Sequence, residues 1–179
     1  MSGPAPGRSC AGCTLCCKLM GISALEKPPG RWCSHCDVGE GCQIYDARPA
    51  ECRTFNCAWL TDVALSEAWA PKTSRIIVAH DKNRIAVHVD PARAGAWRKA
   101  PFYQTILQWG AALAPRGGQV LVFDAGVVFA ILPDGEKPLG AVTPDQVIIS
   151  TRRERPQGPA FDVIVMPKDD PRAQRVMSA

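Results

Sequence analysis

The chain has 179 residues, 46% of them hydrophobic and 21% charged, with a formal net charge of +4, which fits one compact unit or a small domain beside a medium one. This balance excludes a disordered polymer, a collagen-like repeat and a coiled coil. The best apolar run, residues 119–132, is broken by Asp124 and Gly126 and falls short of the roughly 18 residues of a membrane span, so no membrane partner is expected. The opening residues Met1 to Arg8 lack the basic start and apolar core of a secretory signal. The expectation is a cytoplasmic protein with reduced thiols.

All nine cysteines fall within residues 10–57, and residues 58–179 contain none. That density marks a stapled or metal-bound module, because the apolar residues there are too few to hold so short a segment by burial alone. Disulfides are the weaker choice: the count is odd, Cys16 and Cys17 are adjacent, and export has no support. The run Cys10-x2-Cys13-x2-Cys16-Cys17 is followed by Cys33-x2-Cys36 and then by Cys42, Cys52 and Cys57. A C-x2-C pair lets two thiolates converge on one soft metal from a tight turn, and two pairs complete a tetrahedral shell. Adjacent side chains point in different directions, so Cys16 and Cys17 serve two sites or bridge one cluster. The nine sulfurs suffice for two zinc ions, for one iron-sulfur cluster and a second site, or for a bridged set of three zincs. All-sulfur ligation excludes magnesium and calcium and leaves zinc, iron-sulfur and copper(I) open.

The residues Cys10-Ala11-Gly12-Cys13-Thr14-Leu15-Cys16-Cys17, with Gly41-Cys42-Gln43-Ile44-Tyr45-Asp46-Ala47-Arg48-Pro49-Ala50-Glu51-Cys52-Arg53-Thr54-Phe55-Asn56-Cys57, resemble the YkgJ-type cysteine cluster family, also described as a CxxCxxCC zinc- or iron-chelating domain. The similarity spans about residues 8–60. It implies metal chelation and little else, although a related cluster in flagellin lysine methylases points toward iron-sulfur. Position by position, the resemblance implies metal ligation by Cys10, Cys13, Cys16, Cys17, Cys33, Cys42, Cys52 and Cys57. Cys36 stands where many members carry an apolar residue, and we retain it as a ninth candidate.

Around these residues, Gly12, Gly39 and Gly41 suit sharp turns with positive φ. Pro49 reads as the first position of a helix that places Cys52 near its N-terminus, where a thiolate is stabilised. Lys18, Arg48 and Arg53 are candidates to offset thiolate charge. His35, between Cys33 and Cys36, is the one histidine placed to ligate, and nine sulfurs make it dispensable. Eight thiolates on two zinc(II) ions carry a formal −4 that cancels the chain's +4. Arg152-Arg153-Glu154-Arg155 is then the concentrated basic patch, it has no interleaved aromatics, and no specific nucleic-acid partner is expected.

Residues 61–73 read as a connecting segment, with a short helix or packed linker ending before Pro71. Two β-branched runs flank Asp81-Lys82-Asn83, a hairpin signal, and His80 and His88 within it are candidates to face each other. Phe102, Ile106, Trp109 and Leu113 recur at helical spacing between Pro101 and Gly117-Gly118. Residues 119–123 and 127–132 flank Asp124-Ala125-Gly126 as a second hairpin. Strands over about 146–151 and 161–166 complete the order ββαββββ. The expected fold class is α+β: a metal-stapled module over residues 8–60, an antiparallel sheet with one packed helix over 74–167, and a poorly ordered tail over 168–179.

No dinucleotide fingerprint, P-loop, H-E-x-x-H or G-x-S-x-G motif is present, so no catalytic residue is assigned. Three roles follow from the cysteines: a zinc or iron (iron-sulfur cluster) staple presenting the sheet to a protein partner or small ligand, an iron-sulfur redox or methyl-transfer accessory, and a metal buffer, sensor or chaperone.

Overall fold

The β-branched runs around Asp81-Lys82-Asn83 form strands in a computed structural model that describes residues 3–156 and 158–177. In chain order the helices and strands are α1 (Leu15–Leu19), β1 (Cys36–Asp37), β2 (Gly41–Cys42), α2 (Ala50–Thr54), α3 (Ala58–Thr61), α4 (Pro71–Ser74), β3 (Ile76–Asp81), β4 (Arg84–Val89), α5 (Phe102–Leu113), β5 (Gln119–Asp124), β6 (Val127–Leu132), β7 (Gly135–Gly140), β8 (Gln146–Arg153), β9 (Ala160–Pro167) and α6 (Pro171–Met177). The class is α+β, as expected. Among the described residues no helix is long and apolar enough to cross a membrane.

The main sheet runs β3-β4-β5-β6-β7, and β8 pairs with β9 as a separate ribbon. Both expected hairpins form. The sheet nevertheless departs from the expected antiparallel order, because β4 and β5 pair in parallel. The connection between them carries α5, and a crossover of that length permits parallel pairing. Strand β7 lies outside the expected order ββαββββ: Gly-Glu-Lys-Pro-Leu-Gly has no apolar alternation, yet it pairs along β6 as the edge strand, where a proline is tolerated. His80 pairs with Ile85 and His88 with Ile77, so the two histidines lie on opposite faces and do not meet. The expected tail instead forms α6, with Ala173 fully buried beside Ile149 and Met166; residues 178 and 179 lie outside the described residues.

Alternation along the strands sends Ile76, Val78, Val87, Val89, Val120 and Val122 to one face of the sheet, under α5. There Phe102 and Ile106 of α5 join Trp97 and Trp69, the Trp69 and Phe102 rings meeting edge to face at 4.8 Å. The buried tryptophan Trp69 belongs to the connecting segment, so that segment is part of the core. The other face is covered twice. Leu15 and Leu19 of α1 pack on Ile77, while Val163 of β9 packs on Leu121, Val128, Ala130 and Leu132. His88 lies on this face and stacks on Phe123 at 4.7 Å with ring planes 11° apart.

Helix α5 approaches β6 unusually closely. A Cβ added at Gly110 would stand 2.7 Å from Ile131 Cγ2 and 2.9 Å from the Ile131 carbonyl oxygen, so the glycine is a packing requirement that outweighs its poor helix propensity. Gly110→Ala is expected to destabilise the fold by about 1–3 kcal/mol through overpacking, net of any propensity gain. The urea midpoint reads this, and an unchanged or raised midpoint would show that α5 can move off the sheet at no cost.

Burial of His88 pushes its pKa down to about 4 from 6.5, because the sheet face disfavours the imidazolium. The unfolded chain therefore binds the extra proton between those two values, and stability is lost as pH falls from about 6.5 toward about 4. The loss attributable to this group is up to about 3 kcal/mol. His88→Gln is expected to flatten that part of the acid limb in urea unfolding; parallel acid limbs in the two proteins would contradict the assignment.

Candidate metal centre

The cysteine-bearing segment is folded by short turns. Cys13 N–H donates to the Cys10 carbonyl at 2.9 Å, closing the first C-x2-C turn. Gly12 in that turn has φ +63°, and its missing side chain leaves room for Lys72 Nζ and the Gly39 carbonyl, which a Cβ would meet at 3.1 and 3.2 Å. Gly39 adopts φ +91°, and its N–H donates to Thr14 Oγ1 at 3.2 Å, tying the two cysteine turns together.

Helix α1 begins immediately after and carries Cys16 and Cys17. Its buried residues Leu15 and Leu19, four positions apart, share the face that rests on Ile77. The second cysteine pair is drawn in by the backbone: Cys33 N–H donates to the Cys17 carbonyl at 2.9 Å, and Cys36 N–H to the Cys33 carbonyl at 3.1 Å. Strands β1 and β2 then place Cys36 directly opposite Cys42. Pro49 is the cap of α2, one position before the helix it was expected to open, and Cys52 is the third residue of that helix. Cys57 caps α3 through its carbonyl, which accepts from Leu60 N–H at 3.0 Å.

All nine cysteines are free thiols, and their mutual electrostatics link them into two groups joined through Cys10 and Cys17. The neighbouring Cys16 thiol, followed by burial, drives the Cys17 pKa far upward, and Cys36 acts on it in the opposite sense. Burial and then Cys17 push Cys36 up to about 12. Burial also raises Cys52, which feels Cys17, Cys33 and Cys42. Cys16, Cys17, Cys33, Cys36, Cys42 and Cys52 therefore form one group. A second consists of Cys10, Cys13 and Cys57. Burial raises Cys57, with Cys10 and Cys13 adding to the effect; burial and then Cys13 raise Cys10, against the charge of Arg48, and Cys17 raises it further, so Cys10 joins the two groups.

Such thiols resist ionising one beside another, and a soft cation removes that penalty by taking the place of their protons. The donor chemistry thus fits zinc or iron. The sulfurs are nonetheless gathered rather than closed on a common centre: among the described residues no group of three or more His, Cys, Asp or Glu side chains is arranged to hold an ion as it stands.

The basic residues fall differently from expectation. Arg53 Nη1 donates to the Arg48 carbonyl at 2.8 Å, and Lys18 Nζ reaches Asp90 Oδ1 at 2.6 Å, so neither is committed to sulfur. Arg48 stacks 3.6 Å from the Tyr45 ring centroid and feels Cys42 and Cys52. His35 contributes its carbonyl to Gln43 N–H at 2.9 Å.

Two residues escape sequence reading. Lys27, outside any periodic element, is buried and faces Cys33, Cys17, Cys16 and Cys52 electrostatically. Asp90 is fully buried and accepts from Lys18 and from Arg75 Nε at 3.0 Å, with Arg75 Nη2 making a second bond. Burial alone would raise the Asp90 pKa, but the hydrogen bonds from Lys18, the Ala92 amide and Arg75 hold it below the usual value. The Asp90-Pro91 pair does signal the local cap on Ala92; nothing local signals the two cations.

Comparison with family models, with curated proteins and with solved structures returns no match. The resemblance to the cysteine cluster family therefore rests on the motif residues themselves. The fold and the thiol grouping define an α+β protein with a cysteine-rich module seated on one sheet face.

Removing Asp90 leaves Lys18 and Arg75 without their shared buried acceptor. Asp90→Ala is expected to cost about 3–5 kcal/mol and to make residues 10–57 more sensitive to protease than the sheet. Wild-type stability and digestion in the variant would mean that the Lys18–Asp90–Arg75 link does not hold the module in place.

Proposed function

We propose that the chain binds zinc or iron, the latter as an iron-sulfur cluster, through its nine cysteines, with the metal acting mainly as a structural staple for residues 8–60. The observation that carries this reading is the crowding of nine free thiols, several of which interact with one another, into a segment with little core of its own. Its best apolar contact, Leu15 and Leu19 against Ile77, borrows a residue from β3. So small a core does not ordinarily hold a module of this length.

Within the module, Cys16, Cys17, Cys33, Cys36, Cys42 and Cys52 supply more than one tetrahedral set of sulfurs, and Cys10, Cys13 and Cys57 supply most of another. The bound metal would contribute coordinate bonds that fold the segment as they form. The protein's own part is to bring the sulfurs together through the Cys10 and Cys33 turns, the β1–β2 pairing and the seat of α1 on the sheet. The stapled module and the sheet together would present a surface to a protein partner.

Anaerobically purified protein is expected to contain stoichiometric metal. Elemental analysis with a visible spectrum identifies it: a colourless zinc protein excludes the cluster, and a brown protein with iron and acid-labile sulfide excludes an all-zinc centre. Metal-free polypeptide, with its sulfurs paired as disulfides or free, overturns the reading. Cys52→Ser and Cys57→Ser, one from each group, are each expected to lower metal content and to open residues 8–60 to protease before the sheet. Full metal content and protease resistance in both variants would remove these two cysteines from the ligand set.

A further inference from the structure

The loop that follows α1 turns back on itself. Ile22 and Lys27 exchange both backbone hydrogen bonds, at 2.9 and 3.0 Å, as an isolated antiparallel bridge, and Ile22 is buried beneath it. Closing so short a loop forces Glu26 into the left-handed region at φ +48°, a conformation that non-glycine residues adopt only at a cost. That cost is met immediately before Lys27, and the result is that the Lys27 side chain runs inward under the end of α1.

There its Nζ donates to the carbonyls of Lys18 and Pro28, both at 3.2 Å, and to that of Met20. Burial lowers the Lys27 pKa from its ordinary value, against the nearby thiols, while three acceptors match the three N–H donors of an ammonium and exceed the two of a neutral amine, so the geometry suits the charged form. The carbonyls of Lys18 and Met20 belong to the end of the helix that carries Cys16 and Cys17, where a cation is favoured. The same ammonium interacts electrostatically with Cys33, Cys17, Cys16 and Cys52. These four sulfurs come from three separate pieces of chain, and Lys27 is the cation common to them.

Resting on the metal-binding reading, we infer that Lys27 is a built-in counter-charge for this thiol group, a positioning residue that strengthens its grip on a thiophilic cation without ligating it. Four thiolates on a divalent ion or a doubly charged iron-sulfur core retain a formal charge of −2, and holding that charge away from water is costly unless a partner sits beside it. Lys27 supplies one positive charge already fixed by three carbonyls, so the counter-charge itself need not move as the sulfurs close on a metal. Arg48, which interacts with Cys42 and Cys52 and has a buried Nε without a hydrogen-bond acceptor, adds a second at the same group.

Cobalt(II) uptake by the reduced, metal-free full chain tests this, using the thiolate-to-cobalt absorption and mapping by mass spectrometry which cysteines cobalt protects from alkylation. Lys27→Met is expected to weaken cobalt binding at Cys16, Cys17, Cys33 and Cys52 by about tenfold to a hundredfold. Protection of Cys13 and Cys57 should be unchanged, and that of Cys10, which also feels Cys17, should fall by much less. Lys27→Arg should restore most of the affinity. The deficit should persist in high salt, because a buried charge is poorly screened. Equal cobalt affinity in wild type and Lys27→Met overturns the counter-charge while leaving the metal site standing. Equal losses from both thiol groups, with general protease sensitivity, also overturn it, since they describe only a cap that the loop needs in order to fold. A wild-type chain that takes up no cobalt overturns the metal-binding reading itself, and the counter-charge with it.

Discussion

Strand β3 has no face to spare for solvent: Ile76, Ile77 and Val78 are consecutive, and each is buried. A strand apolar on both sides must be covered on both sides, and the rest of the molecule answers that requirement. Helix α5 and the tryptophans cover one face. On the other, the cysteine module covers the β3 end and the β8–β9 ribbon covers the β5–β6 end, with His88 and Phe123 stacked between. The module is thus more than an appendage beside the sheet. It supplies a wall of the core, and Leu15 and Leu19 belong to the sheet's packing as much as to their own helix.

The electrostatic joint follows the same seam. Asp90 follows the end of β4 and is sealed from water, yet it binds Lys18 from the cysteine helix and Arg75 from the start of β3. An unpaired carboxylate there would be strongly disfavoured, so the two cations and the acid fix one another's positions. A second tie lies at the N-terminal arm. Arg8 donates to the carbonyls of Trp59, Asp62 and Leu65 and stacks on Trp59, while Ala5 N–H donates to the Leu60 carbonyl at 2.8 Å. The boundary expected near residue 60 therefore runs through a continuously bonded region.

What the sequence makes legible divides along physical lines. Both hairpins and α5 are readable because β-branched alternation, turn residues and 3.6-residue spacing are local signals. The gathering of the cysteines is readable as well, since it occurs within one stretch of chain. The parallel β4–β5 pairing is less so: turn chemistry fixes only hairpin neighbours, although a helix between two strands is itself a crossover signal. Strand β7 is silent because its glycines, lysine and proline carry no strand pattern, and pairing with β6 alone makes it one. Lys27 and Asp90 are silent for another reason. Their roles depend on groups brought close by tertiary folding, and a lone lysine or aspartate in a polar stretch looks like any solvated charge.

The seat of α1 on Ile77 also sets an order of events during synthesis. Chains emerge from the amino end, and segments fold as their contacts become available. Leu15, Leu19 and all nine sulfurs leave the ribosome before the strand on which they will rest exists. Until Ile77 arrives, the nascent segment has thiols and exposed leucines but no platform. Any stable shape it takes before then has to come from bonds made within itself.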